Sequence, residues 1–79
     1  MPNYDKKLET KKFTVEISTA EQNGYFEHNV YGDELSGGLW FEDNELVDFD
    51  GVFALPLQVA DAIIEMGFRV DKDIFCEEV

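Results

Sequence analysis

The sequence predicts an α+β fold, an antiparallel sheet of four to five strands with one helix packed on it. Three observations predict it. Phe13, Val15 and Ile17 alternate with Thr14, Glu16 and Ser18, the period-two pattern of a half-buried strand. Turn signals recur at Asn23-Gly24, Gly37-Gly38, Asp43-Asn44 and Asp50-Gly51, a spacing that suits hairpins. One later stretch, Val59, Ile63 and Met66 with Ala60 and Ala62, changes to helical spacing.

The elements follow in order. Residues 1–11 read as a basic N-terminal arm that frays. Phe13–Ser18 is the first strand, and the turn cluster Thr19–Gly24 closes a hairpin on Asn23-Gly24. Tyr25–Tyr31 is the second strand. Gly32-Asp33-Glu34 and Ser36-Gly37-Gly38 punctuate a loop. Leu39–Glu42 and Glu45–Phe49 form a tight hairpin around Asp43-Asn44. A two-residue loop sets Glu42 opposite Glu45, Phe41 opposite Leu46 and Trp40 opposite Val47. Asp50-Gly51 is the next turn. Pro56 opens the helix and Gly67 stops it, with Gln58, Asp61 and Glu65 facing water. Phe68–Val70 and Ile74-Phe75 read as a last short strand or an extended tail. The 79 residues suffice for a single domain, 1–79.

The charge distribution is the unusual feature. Eighteen acidic residues face six basic ones, for a formal net charge of −12. Residues 1–12 carry four lysines against two acids, a net of +2. Residues 13–79 carry Arg69 and Lys72 against 16 acids, a net of −14. Between Lys12 and Arg69 there are 12 acids and no base. They cannot all be paired within the chain, and their repulsion costs stability. An apolar fraction of 44 % with seven Phe nevertheless belongs to a folding chain.

Several chemistries are disfavoured. Asp48-Phe49-Asp50-Gly51 resembles part of a calcium loop, but with Gly51 at loop position six, Leu46 and Leu57 occupy positions one and twelve, where carboxylates are required. His28, the single histidine, has no cysteine at zinc spacing. No nucleophile stands with a base and an oxyanion site. Neither a metal nor a cofactor is expected, nor catalysis. Cys76, the single cysteine, reads as a small apolar filler. No run is long enough to span a membrane, and the start lacks the apolar stretch of a leader. The expected location is the cytoplasm of a bacterial host cell. Trp40, Tyr25 and Tyr31 serve either sheet packing or, on an open face, an interface.

The carboxylates carry the functional expectation. Alternate side chains on one strand face lie about 6.7 Å apart, and a nucleic-acid strand advances about 3.4 Å per phosphate. Asp33, Glu34, Glu42, Asp43, Glu45, Asp48 and Asp50 are therefore the candidate partner-binding residues. They would meet a Lys/Arg groove that ordinarily holds nucleic acid. Glu27 depends on strand register.

The stretches Gly24–Asn29, Gly32-Asp33-Glu34, Gly37–Glu42, Leu46–Phe53 and Leu55-Pro56 resemble small acidic anti-CRISPR proteins of phages, directed against type I systems, in particular type I-C. The likeness covers about residues 24–68 and leaves out the basic arm. It implies an inhibitor that covers a basic DNA-binding surface of the effector complex. The expected partner is a cationic nucleic-acid-binding protein, a type I CRISPR effector subunit. Direct nucleic-acid binding and membrane binding are not expected, and the chain is expected as a monomer or small homo-oligomer. Two other readings stay open: an immunity or antitoxin-like protein that neutralises a cationic nuclease, and an acidic housekeeping domain whose carboxylates only hold water.

Overall fold

The computed structural model describes residues 4–30, 33–50 and 54–76, with the backbone alone for residues 29, 30, 33 and 34. Five strands, β1 (Lys6–Glu9), β2 (Phe13–Ser18), β3 (Asn23–Val30), β4 (Asp33–Glu42) and β5 (Glu45–Asp50), precede helix α1 (Leu57–Glu65) and a one-turn helix α2 (Lys72–Phe75). The strands pair antiparallel in sequence order, so every connection within the sheet is a hairpin. The α+β expectation holds.

Alternation decides which face is buried. Val15, Ile17, Phe26, Leu39, Phe41 and Leu46 point to one side, where α1 contributes Val59, Ala60, Ala62 and Ile63. Burying each of the larger side chains contributes about 1.5–3 kcal/mol. Helix α1 has no side-chain cap and no acid in its first turn. Nine residues make a marginal helix alone, so this buried face holds it to the sheet. Gly67, at φ +104°, ends it in a conformation that other residues rarely adopt.

Several sequence expectations are corrected. The basic arm is not frayed throughout, because Lys6–Glu9 pairs with Thr14–Ile17 as β1. Lys6 turns inward, donates from Nζ to the Met66 carbonyl at 2.5 Å and lies 5.5 Å from the Phe68 ring centroid. A cation there complements the negative end of α1. The Asp5 carboxylate accepts from the Thr19 hydroxyl and amide, and these bonds hold its pKa below the usual range.

Asn23-Gly24 is not the hairpin turn but the start of β3. The turn is residues 19–22, and the left-handed residue is Gln22 at φ 55°. Ser36-Gly37-Gly38 is not a loop either: it runs through the middle of β4. A side chain at Gly37 would collide with the Asp50 carbonyl and stand 2.9 Å from Phe49. Glycine is there to admit the Phe26 and Phe49 rings, whose centroids lie 5.6 Å apart. Ile74-Phe75 belongs to α2 and not to a strand. Arg69 does make a parallel bridge to Glu45, the remnant of the expected last strand. The Asp50-Gly51 turn and Tyr31 lie outside the described residues.

The β4–β5 hairpin turns on Asp43-Asn44, both left-handed at φ 53° and 63°, as a two-residue hairpin requires. Phe41 pairs with Leu46 and Glu42 with Glu45, as expected. Trp40, however, pairs with Asp48 and not Val47, because the register shifts between Trp40 and Phe41. Val47 is the extra residue of a β-bulge. The bulge lets Leu46 and Phe49, three residues apart, both face the core. It also turns Asp48 and Asp50 to the opposite face.

Candidate functional site

The face of the sheet away from α1 is covered by no described element. Register fixes its occupants. One cross-strand row runs Lys7, Glu16, Tyr25, Gly38, Asp50, and the next runs Asn23, Trp40, Asp48. Glu27, opposite Thr14 and Ser36, also points outward and is exposed. That settles the orientation the sequence left open.

Aromatic rings cross the middle of this face. Tyr4 meets Tyr25 edge to face at 5.3 Å. Trp40 is 42 % exposed, so it packs on the sheet surface outside the core. Its benzo ring lies over Gly38. Beside it, Asn23 Oδ1 is buried with no donor among the described residues.

Carboxylates surround the rings, and they divide by what they touch. All six basic side chains lie within the described residues. Lys7 reaches Glu16 at 3.4 Å and Glu9 at 3.9 Å, Arg69 reaches Glu45 at 3.8 Å, and Lys72 reaches Asp61 at 2.5 Å. Arg69 also donates to the Asp43 carbonyl. Glu27, Asp48, Asp50 and Glu42 make no ion pair with any of them. Acids also occur on the helical side. There Asp61 has its lysine, and Asp71 caps α2 by accepting from the Asp73 amide. Glu21, Glu65 and Asp73 also make no ion pair, so unpartnered charge occurs on both sides of the sheet, and the open face and hairpin tip carry Glu27, Asp48, Asp50, Glu42 and Asp43 of it.

Glu16 acts on Tyr25. Its carboxylate accepts a hydrogen bond from the Tyr25 hydroxyl and, with desolvation and the charges of Glu16 and Glu27, pushes that pKa from 10.0 up to about 12. The folded state thus holds the phenolic proton more tightly than the unfolded chain does. The resulting stabilisation is fully present below pH 10 and is lost as pH rises towards 12. A tyrosinate absorbance titration should show one tyrosine ionising late, and Glu16→Gln should move it back towards its ordinary value. An unchanged late ionisation in Glu16→Gln would contradict the assignment.

The seven candidate residues do not form one patch. Asp48 and Asp50 lie on the open face. Glu42, Asp43 and Glu45 cluster at the tip, with Glu45 partly neutralised by Arg69. Asp33 and Glu34 open β4 opposite Val30 and Asn29, about 30 Å along the strand from that tip. Their side chains lie outside the described residues. Sequence reasoning missed Trp40 as the cross-strand partner of Asp48, since that pairing depends on the bulge. No group of three metal-ligating side chains occurs among the described residues. No helix there is long and apolar enough to cross a membrane. Comparison with protein-family models, with curated proteins and with solved structures returned no match.

Proposed function

We propose that this chain is a non-catalytic binding protein whose open sheet face and hairpin tip occupy the cationic surface of a nucleic-acid-binding protein and exclude nucleic acid from it. The observation that supports this reading is the set Glu27, Asp48 and Asp50. These carboxylates face outward on a sheet surface that no described element covers, and no basic side chain of the chain pairs with them.

Asp48 and Asp50 follow a strand repeat of about 6.7 Å, near twice the roughly 3.4 Å spacing of phosphates along a strand axis. The resemblance to anti-CRISPR proteins directs the first trial to a type I effector subunit, the bacterial cytoplasm being the corresponding location. Neutralisation of a cationic nuclease uses the same surface and differs only in the partner.

Such a complex gains most of its encounter rate from electrostatic steering. Its affinity is expected to fall steeply as salt rises, because exposed charges are screened beyond about 8–10 Å at physiological ionic strength. An affinity that stays flat from low to high salt would contradict the proposal.

A further inference from the structure

We infer that the indole of Trp40 is the seat of an arginine side chain from the cationic partner, with Asp48 and Asp50 as its carboxylate acceptors. This rests on the reading of the open face as a receptor for a cationic protein, and it adds the side chain that the face selects.

The seat is built by three strands. A Cβ at Gly38 would stand 2.9 Å from Trp40 Cη2, 3.2 Å from Cζ3 and 3.5 Å from Cζ2. The benzo ring therefore lies on the backbone at Gly38, where any larger residue would lift it. The ring rests against Gly38, and the residue is still 42 % exposed. Asp48 is the cross-strand partner of Trp40, and Asp50 is the partner of Gly38 beneath the ring. Both carboxylates thus belong to the strand alongside. On the other side Gly38 pairs with Tyr25.

Among the described residues, no cation is supplied to this seat. Lys6 is committed to Met66 and Phe68, Lys7 to Glu9 and Glu16, Arg69 to Glu45, and Lys72 to Asp61. Lys11 and Lys12 sit in the β1–β2 turn, three strands from β5. The complementary occupant is a cation that can stack and also reach two carboxylates. Guanidinium does both: it is planar, weakly hydrated and carries five donors, and tryptophan is the best aromatic acceptor for a stacked cation. A lysine ammonium is compact and strongly hydrated, and it gains less from the ring.

Trp40 is the single tryptophan, so its fluorescence reports on this site directly. The test titrates the full chain with oligoarginine and with oligolysine of equal length. Oligoarginine is expected to bind about tenfold more tightly and to change Trp40 emission saturably. Trp40→Leu, at an outward position that the core does not need, should bind the two peptides equally while keeping its folded circular dichroism. Gly38→Ala, which lifts the ring and changes no charge, should reduce the preference. Equal affinities in the natural chain, or a preference that survives Trp40→Leu, would overturn the arginine seat and leave the cationic reading standing. Failure of both peptides to bind would overturn both.

Discussion

Reversing Asp48 and Asp50 to lysine is expected to weaken partner binding about a hundredfold while leaving the fold intact. Both side chains are exposed on the open face and neither pairs with a base. Their folding role is therefore small, and surface substitutions of this kind move stability by roughly 0.5 kcal/mol. Replacing an attractive contact by a like-charge one at a cationic surface is different. At about tenfold per site, or about 1.4 kcal/mol each, the two together give the hundredfold loss. The effect should appear in both association rate and affinity. Glu65→Lys combined with Asp73→Lys makes the same change in net charge on the helical side, and it is expected to cost several-fold less. Equal losses for the two pairs would mean that the chain acts only through its total charge and has no binding face.

Phe26→Ala is expected to be the most damaging single truncation. Phe26 is 1 % exposed. It sits at the centre of the sheet, opposite Val15 on one side and Gly37 on the other. Its ring packs against Phe49, and Gly37 has no side chain to close the gap. Large aromatic truncations in a core cost about 3–5 kcal/mol. A chain of this length has roughly 4–12 kcal/mol in all, at about 0.05–0.15 kcal/mol per residue. The variant should lie near its unfolding midpoint, or beyond it, in dilute buffer. Chemical denaturation with a loss under about 1 kcal/mol would contradict the placement of the core at β3.

What the sequence revealed follows from period. The alternation of Phe13, Val15 and Ile17 defined β2, the helical spacing of Val59 and Ile63 defined α1, and Gly67 marked its end. These signals are local, so they were legible. Glycine misled where its reason was packing rather than turning. Gly24 and Gly37 look like punctuation, yet each lies within a strand because a neighbouring backbone comes too close for a side chain. Conversely, the left-handed residue of the β2–β3 turn is Gln22, whose side chain locks onto Asn44 by two hydrogen bonds. That reward comes from a residue 22 positions away and leaves no trace in local composition.

The candidate site was partly legible for a related reason. Asp48 and Asp50 stood out by charge and spacing, and Glu42 facing Glu45 followed from the two-residue turn. Their relation to Trp40 did not follow. A regular ladder sets Trp40 against Val47 and turns Asp48 inward. The odd spacing of Leu46 and Phe49, both needed by the core, is the clue that a bulge must intervene. The basic arm hid its structure because Lys6 is inward for a specific reason, the free carbonyl at the end of α1, and only the tertiary fold brings that carbonyl there.

The central claim is that the open face takes the place of nucleic acid on a cationic protein. Its most direct test is retention of a DNA-binding protein from a bacterial lysate on the immobilised chain, with and without saturating duplex DNA, using the Asp48→Lys/Asp50→Lys chain as control. The account predicts that the retained protein is released by the DNA and is not held by the control. Retention that is unchanged by saturating DNA, or equal on the control, would contradict it.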